Sequence, residues 1–224
     1  MLIVVGGHTR NIGKTSVVAG LIAAIPEAHW TALKITQFGH GVCSSDGESC
    51  ECAVADPEHP FAVSEETDRG GRSDTSRFLA AGAERSYWVR TAAGQLGHAL
   101  PTLRRIFGTS QHIIAESNSI LQFFKPDLYF VVMDFAAGDF KPASLQYLDR
   151  ADALIVVDHG VDRPEWSGVS RRLWDSKLRF YVRPPQWVTE AVAARVRGLL
   201  KSPSTASGVA GATSVSMVLP GDRR

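Results

Sequence analysis

A glycine, a lysine and a threonine stand together one short loop after the first apolar run of the chain. Gly13-Lys14-Thr15 follows the run Leu2–Val5 and precedes an apolar stretch that ends near Ala24. Backbone N–H groups of such a loop bind phosphate, and the N-terminus of the following helix adds partial positive charge. The lysine then reaches the terminal phosphates of a nucleotide, and the threonine hydroxyl is a ligand of Mg²⁺. The residues predicted to bind ATP or GTP are Thr9, Asn11, Ile12, Gly13, Lys14, Thr15 and Ser16.

The spacing of this loop differs from the common pattern of a glycine, four residues and Gly-Lys-Ser/Thr. His8 stands where that pattern has glycine, and the nearest glycine is Gly7, one position earlier. Five residues therefore separate Gly7 from Gly13. The alternative interpretation is an ordinary helix start with a lysine in its first turn.

Two further charged residues lie in or after apolar runs that suit buried strands. Glu116 follows the run His112–Ala115, and Lys34 lies within the run Trp30–Thr36. Ligands in open α/β sheets bind at the carboxyl ends of strands. Glu116 is therefore predicted to bind Mg²⁺, directly or through water, or to orient an attacking water; capping the next helix is the alternative.

A lysine in a buried strand is costly unless its charge meets a partner. A nucleotide γ-phosphate or a bound substrate as that partner would make Lys34 catalytic. The alternative is a side chain that extends from the strand end into solvent. The predicted catalytic residues are Lys14, Lys34 and Glu116.

The segment between Asp68 and Arg77 combines acidic, basic and hydroxyl side chains. Ser73 or Asp74 suits the N-cap of a helix with local ion pairs. Alternatively, Asp68 or Asp74 completes the Mg²⁺ shell or holds a substrate. The stretch Arg183-Pro184-Pro185 is expected to line the pocket for the nucleotide base. The chain has no Asn/Thr-Lys-x-Asp guanine motif, so the choice between ATP and GTP stays open.

All three cysteines of the chain fall in one polar stretch. His40, Cys43, Cys50 and Cys52 lie within 13 residues. Thiolate ligands suit Zn²⁺, Cu(I) or an iron–sulfur cluster, and three cysteines with one histidine complete a tetrahedral zinc site. These four residues are therefore predicted to bind Zn²⁺ or an Fe-S cluster. A redox-sensitive pair, Cys50 and Cys52, or ordinary loop cysteines are the alternatives.

Apolar runs that suit buried strands alternate with segments of helical character. The predicted strands are Leu2–Val5, Trp30–Thr36, Ser86–Arg90, His112–Ala115, Leu128–Met133, Ala153–Val157 and Arg179–Val182. The predicted helices are Lys14–Ala24, Ser73–Ala81, Gly94–Phe107, Ser144–Arg150 and Thr189–Leu200. This alternation predicts an α/β fold with a mostly parallel sheet flanked by helices.

Two stretches interrupt this alternation and set the expected domain limits. Residues 38–71 lack periodicity and are expected to form a functional, cysteine-containing loop. Residues 202–224 are rich in small residues and are predicted to be a disordered tail. A single domain is therefore expected over residues 1–201.

Composition narrows the classes of function. The chain has 224 residues, 44% of them hydrophobic, and a formal net charge of +1. This balance does not favour nucleic acid or a membrane surface as a partner. No apolar run approaches the roughly 20 residues that span a bilayer. The first strand begins almost at the N-terminus and leaves no room for a signal peptide, so the cytoplasm is the expected location.

The loop of Gly7, five residues and Gly13-Lys14-Thr15 resembles that of dethiobiotin synthetase-type enzymes. A second resemblance, over roughly residues 1–120, is to molybdopterin-guanine dinucleotide biosynthesis protein B (MobB). It is carried by Ala32-Leu33-Lys34-Ile35-Thr36, Asp68-Arg69-Gly70-Gly71-Arg72-Ser73-Asp74-Thr75 and Ala81-Gly82-Ala83. Where the MobB pattern has Glu-Gly, this chain keeps Glu116 and replaces the glycine. The resemblance implies a P-loop NTPase fold and a homodimer.

Three functions fit these patterns. The first is a Mg²⁺-dependent protein that binds and hydrolyses ATP or GTP as a MobB-like accessory factor in molybdopterin-type cofactor biosynthesis. The second is a nucleotide-gated metallochaperone, which carries a metal or Fe-S cluster on the cysteine segment to a client metalloenzyme or cofactor-assembly protein. The third is an ATP-dependent small-molecule ligase of the dethiobiotin synthetase type, with Lys34 at the reacting carboxylate.

Overall fold

A computed structural model describes residues 1–38 and 61–201 of the chain. The strands are β1 (Leu2–Gly7), β2 (Thr31–Phe38), β3 (Phe61–Glu65), β4 (Arg85–Ala92), β5 (Ile113–Glu116), β6 (Leu128–Asp134), β7 (Ala153–Val157) and β8 (Leu178–Val182). The α-helices are α1 (Lys14–Ala24), α2 (Asp74–Ala80), α3 (Leu100–Gly108), α4 (Pro142–Leu145) and α5 (Glu190–Lys201). The predicted zinc or Fe-S ligands His40, Cys43, Cys50 and Cys52 lie outside the described residues, as does the predicted tail at 202–224.

The strands form one sheet in the order β3-β4-β2-β5-β1-β6-β7-β8. All neighbouring pairs are parallel except β3 with β4. The central strand β1 is buried along its whole length, as is expected of a strand covered on both faces. The predicted α/β fold with a mostly parallel sheet flanked by helices is thus confirmed.

Two apolar layers cover the two faces of the sheet. One layer contains buried side chains of α1, α2 and α5, represented by Leu21, Phe78 and Val196. The other contains Leu103 of α3 together with Trp166 and Trp174 from the segments around β7 and β8. Helices cover both faces of the sheet. The phosphate loop lies at the edge formed by the carboxyl ends of the strands, where the strands lead into loops.

Part of the predicted loop at 38–71 is a strand. β3 pairs antiparallel with β4, and Val63 lies opposite Val89. Phe61 and Val63 pack against the core while the end of the strand is exposed. Only two apolar residues face the core in this edge strand, so its alternation is too short to detect in the sequence.

Two predicted helices are shorter in the structure. The predicted helix Gly94–Phe107 is a 3₁₀ turn at Leu96–Ala99 followed by α3, which begins at Leu100 with Pro101 in its first turn. Proline is favoured there because its missing N–H is not needed in the first turn. The predicted helix Ser144–Arg150 is likewise divided into α4 and a 3₁₀ turn at Leu148–Arg150.

The N-terminus of α2 is fixed by a side-chain cap. The Ser73 hydroxyl accepts a hydrogen bond from the backbone N–H of Ser76 at 3.0 Å. We expect Ser73→Ala to lower the free energy of unfolding by about 1 kcal/mol, because this donor loses its partner. Urea denaturation measures the change. Ser73→Thr keeps a hydroxyl, so a loss as large as that of the alanine variant would contradict the assigned cap.

Candidate phosphate-binding site

A cavity of about 710 Å³ opens at the carboxyl edge of the sheet. It begins at the loop between β1 and α1 and continues past the ends of β5 and β2 to β4. Its lining includes six cationic side chains and two carboxylates: Arg10, Lys14, Lys34, Arg72, Arg77 and Lys141, with Asp74 and Glu116. This position is where α/β sheets bind their ligands.

The loop from β1 to α1 has the form of a phosphate cradle. Gly13 has φ of 89°, a left-handed conformation that favours glycine, and it immediately precedes the first residue of α1. The Lys14 ammonium lies back across the loop and donates to the Thr9 carbonyl oxygen at 2.7 Å. Burial lowers the pKa of Lys14, and the Glu116 carboxylate opposes that shift. The loop thus holds a half-buried cation at its centre.

The residues predicted to bind the nucleotide divide into two groups. Asn11, Gly13, Lys14, Thr15 and Ser16 line the cavity. Thr9 and Ile12 are buried instead. The Thr9 hydroxyl donates to Asp139, and the Ile12 side chain packs in the core beneath α1. These two side chains stabilise the loop from below and do not line the cavity.

Thr15 and Glu116 meet at the bottom of the cavity. The Thr15 hydroxyl donates to Oε2 of Glu116 at 2.7 Å, although the two residues are 101 positions apart. The register of β5 against β1, with Glu116 beside Val5, carries the carboxylate to the start of α1. Glu116 is 3% exposed, so its charge is available only to partners inside the cavity.

Lys34 is held by two carboxylates. Its ammonium donates to Oε1 of Glu116 at 2.5 Å and forms an ion pair with Oδ2 of Asp74 at 2.7 Å. Lys34 and Glu116 are direct neighbours in the β2–β5 register, so their side chains leave the sheet on the same face. Burial lowers the pKa of Lys34, but the two carboxylates outweigh burial and raise it overall. The predicted buried lysine has its charge partners, and it does not extend into solvent.

The Thr15–Glu116 pair fits a magnesium ion. Neighbouring ligands of an octahedral Mg²⁺ at about 2.1 Å lie about 3 Å apart, close to the spacing of these two oxygens. Oε1 of Glu116 is occupied by Lys34, whereas Oε2 accepts from the Thr15 hydroxyl, which can turn away. Within residues 1–38 and 61–201, no group of three or more His, Cys, Asp or Glu side chains is placed to hold a metal. A magnesium ion here would therefore take its remaining ligands from phosphate oxygens and water.

Lys141 is a cation that lines the cavity. From the sequence, Asp139-Phe140-Lys141 could contact a ligand, but surface charge is the favoured interpretation. Burial, together with the nearby charges of Arg10 and Lys14, lowers the pKa of Lys141 to about 8. Its backbone N–H donates to the His8 carbonyl oxygen at 2.9 Å, which ties the segment after β6 to the phosphate loop. A lysine in a polar turn gives no sequence signal for this position.

Asn118 fastens the phosphate loop from below. Its Oδ1 accepts from the Gly7 N–H at 3.2 Å, and its Nδ2 donates to the Gly7 carbonyl oxygen at 3.0 Å. A second donation goes to the Ser144 hydroxyl at 2.8 Å. A side chain at Gly6 would collide with this amide, since a Cβ there would lie 2.0 Å from Oδ1 of Asn118. The amide therefore shapes the loop.

Trp187 covers the phosphate loop from the far end of the chain. A Cβ at Gly13 would lie 1.9 Å from Cζ3 of the indole, so the ring rests directly on the glycine backbone. Trp187 follows the predicted base-pocket residues Arg183-Pro184-Pro185. The Arg183 guanidinium pairs with Asp158 at 2.8 Å. Among the described residues of this turn, Trp187 is the one that lines the cavity.

Other predicted positions lie away from this cavity. Asp68 accepts from the Gly70 N–H at 2.7 Å and shapes its own turn, whereas Asp74 reaches Lys34. Of the two acids considered for the segment before α2, the structure therefore brings only Asp74 into the cavity.

This loop connects the first strand to a helix that begins with Lys-Thr, and it lies at the carboxyl edge of a mostly parallel sheet. These features define a P-loop α/β fold. No family model matches the chain, and no curated protein matches its sequence. Among the described residues, no helix has the length and apolar character needed to cross a membrane.

Two solved structures show a similar fold. HypB from Helicobacter pylori, determined in complex with nickel, has 12% sequence identity and a TM-score of 0.45; the match covers 88% of this chain and 84% of that one. LpxK from Aquifex aeolicus, an "apo" form in complex with ATP, has 16% identity and a TM-score of 0.43 over 80% of this chain. The match covers 53% of the LpxK chain, so this chain spans about half of its length. At these identities the similarity concerns the fold alone.

Proposed function

We propose that this protein binds a nucleoside triphosphate with Mg²⁺ at the loop 7–16 and cleaves or transfers the terminal phosphoryl group. The observation that carries the proposal is the 2.7 Å contact between the Thr15 hydroxyl and Glu116, beside the half-buried ammonium of Lys14. A hydroxyl at a helix start and a carboxylate at a strand end are the protein ligands that a nucleotide-bound Mg²⁺ needs. Nothing in the packing of the core requires these polar groups to meet.

The backbone and the side chains of the loop have different roles in nucleotide binding. Backbone N–H groups at the start of α1 and the Lys14 ammonium neutralise the phosphates, and Lys14 exchanges its contact with the Thr9 carbonyl oxygen for the terminal phosphate. Thr15 and Glu116 would hold Mg²⁺, which would further neutralise the phosphate charge. Lys34, fixed by Asp74 and Glu116, stands beside the terminal phosphate, where a fixed cation stabilises charge that develops during transfer.

Release of inorganic phosphate from ATP and from GTP tests this proposal. We expect release from at least one nucleotide with Mg²⁺ present and none with excess EDTA. The substitution Lys125→Ala removes an exposed lysine outside the site and serves as the control, with unchanged rates. Absence of both binding and cleavage of either nucleotide would rule the proposal out.

The pH dependence of nucleotide binding follows from Lys141. Its pKa of about 8 lies below the usual value for lysine, so the free protein loses this charge as the pH rises through 8. A bound phosphate favours the charged form, and binding therefore takes up a proton above pH 8. We expect the Kd to rise by up to about tenfold per pH unit above pH 8. Titration calorimetry from pH 7 to 9.5 measures this change, and in Lys141→Gln the added slope should disappear; an identical slope in that variant would exclude Lys141 as its source.

For the wider role, we propose a MobB-like accessory factor in molybdopterin-type cofactor biosynthesis that acts as a homodimer. Lys34, Asp74 and Glu116 all belong to the MobB-like pattern, and Lys34 contacts both carboxylates in the cavity. This convergence of separate motifs supports the resemblance. Loss of molybdenum-enzyme activity in a deletion strain, restored by wild type and not by Lys14→Ala, is the expected result; normal activity in the deletion strain would refute this role.

A nucleotide-gated metallochaperone is the second candidate. The segment with His40, Cys43, Cys50 and Cys52 follows directly after Phe38, the last residue of β2, and the same strand carries Lys34 into the phosphate site. A metal on that segment would be connected to the site along one strand. Anaerobic purification followed by metal analysis tests this candidate: stoichiometric metal that is lost in Cys50→Ser supports it, and metal-free wild type with full hydrolysis contradicts it.

The third candidate is a small-molecule ligase of the dethiobiotin synthetase type. Lys34 would then contact the reacting carboxylate of the substrate, and its position between Asp74 and Glu116 leaves it at the cavity surface. Cleavage of ATP that depends on an added carboxylic acid would favour this candidate. Cleavage at the same rate without any acceptor favours the hydrolase.

A further inference from the structure

The cavity is wider than a phosphate site requires. In the sheet order, β4 is three strands away from β1, which at the usual strand spacing is roughly 14 Å. The cavity nevertheless reaches Trp88 on β4. We call its far part the β2–β4 arm, lined by Lys34, Thr36, Gln37, Arg72, Asp74 and Trp88. The phosphate loop lies at the other end, next to Trp187.

The sheet changes character where the arm begins. On one face of β2, Ala32 is fully buried in the core, whereas Lys34 and Thr36 further along the same face line the cavity. On the neighbouring strand, Trp88 lies beside Lys34 and its indole N–H donates to the Thr36 hydroxyl at 2.9 Å. An apolar strand pair thus ends in a polar, half-buried surface that faces the cavity, which is the form of a ligand site.

The charges of the cavity exceed the demand of one nucleotide. Leaving Arg10 aside, five cationic side chains face two carboxylates among the described residues of its lining. A nucleoside triphosphate with its metal ion carries about two net negative charges, so it neutralises only part of the excess. Arg72 lies at the arm, away from the phosphate loop, and is exposed to the cavity mouth. The remaining positive charge is therefore placed where a second anion would lie.

Arg90 packs against the aromatic side chain of the arm. Its guanidinium lies 4.7 Å from the centre of the Trp88 ring. Arg90 is not among the residues that line the cavity, so its contribution to the arm is to hold the Trp88 ring in place.

We propose that the β2–β4 arm binds the second substrate, a small organic acid whose carboxylate or phosphate group is held by Arg72 and whose apolar part lies against Trp88. This assignment rests on the proposed function, because it places the acid next to the terminal phosphate of the nucleotide. The acid and the nucleotide occupy the two ends of one cavity at the same time.

Benzoate and phenyl phosphate are suitable probes, since each joins an aromatic ring to one anionic group. The protein is labelled with 5-fluorotryptophan, saturated with Mg²⁺ and a non-hydrolysable ATP or GTP analogue, and titrated with each probe; the Trp88 resonance is assigned with Trp88→Phe. We expect a saturable shift of the Trp88 signal while the nucleotide stays bound. Arg72→Gln should weaken binding of the probe by about tenfold or more. Arg104→Gln, which replaces an exposed arginine on α3, should leave that binding unchanged.

The outcomes separate this proposal from the proposed function. The ³¹P signals of the analogue report nucleotide binding in the same sample. If the probe displaces the nucleotide, if neither probe moves the Trp88 signal, or if Arg72→Gln has no effect on a bound probe, the arm is not a site for an organic acid. If the nucleotide does not bind but a probe shifts Trp88 through Arg72, the arm is supported and the proposed function fails.

Discussion

Replacing Lys14 with alanine is expected to reduce the rate of nucleotide cleavage by about 10²- to 10³-fold. The Lys14 ammonium is the half-buried cation at the centre of the phosphate loop, where its contact with the Thr9 carbonyl oxygen holds it. Lys34 cannot replace it without moving, because Lys34 is held by Asp74 and Glu116. Steady-state phosphate release measures the effect.

Unfolding is the control for this variant. Burial disfavours the Lys14 charge in the free protein, so alanine should leave the folded state at least as stable as wild type. A lower melting temperature would mean that lost activity reports lost structure. Cleavage at the wild-type rate by a folded Lys14→Ala protein would contradict the assigned site.

Replacing Glu116 with glutamine is expected to have two large effects. The charge that pairs with Lys34 disappears from a position that is 3% exposed, so Lys34 retains Asp74 alone. Removing one partner of a buried ion pair is destabilising, and we expect the free energy of unfolding to fall by about 2–3 kcal/mol. Nucleotide cleavage should also lose most of its rate and should no longer depend on Mg²⁺, because no carboxylate remains beside Thr15 to hold the ion.

A double-mutant cycle separates these two effects. Lys34→Met removes the buried ammonium, so Lys34→Met/Glu116→Gln should be less destabilised than the sum of the single variants. The double variant should remain inactive if Glu116 holds the metal. Additive loss of stability would mean that the ion pair does not couple the two strands, and restored Mg²⁺-dependent cleavage would remove Glu116 from the metal site.

The sheet and α1 could be predicted because their signals are local. Runs such as Ala153–Val157 are apolar without interruption, as strands buried on both faces are, and the observed bounds of this strand equal the predicted ones. Lys14–Ala24 was predicted from a helix start after a phosphate loop and has those bounds in the structure. Each element carries its own evidence in consecutive residues.

The partners within the site could be predicted only in part. Lys34 and Glu116 were both identified as charged residues on apolar strands, but their contact depends on β2 lying beside β5 in a register that no local pattern fixes. Asp74 remained one of two candidate acids, since a helix N-terminus gives the same sequence signal whether or not its acid reaches a lysine. Contact between distant strands is a property of the topology.

The positions of Trp187 and His8 could not be predicted from the sequence. Trp187 lies in a turn without periodicity, and its position on Gly13 joins residues 174 positions apart. His8 is fully buried, with its ring 4.8 Å from that of Trp166 and 5.2 Å from that of Phe140. The longer loop therefore places an aromatic anchor where the common pattern has glycine.

Binding of Mn²⁺ in place of Mg²⁺ tests the central claim most directly, because the ion can be observed by electron paramagnetic resonance. With a non-hydrolysable nucleotide analogue, the wild-type protein should bind one Mn²⁺, and it should bind little without the nucleotide. Thr15→Ala should weaken Mn²⁺ in the ternary complex by about tenfold or more, whereas Ser170→Ala, on the surface, should not. Mn²⁺ bound with equal affinity by Thr15→Ala, or bound without nucleotide, would contradict a nucleotide–metal site built on Thr15 and Glu116.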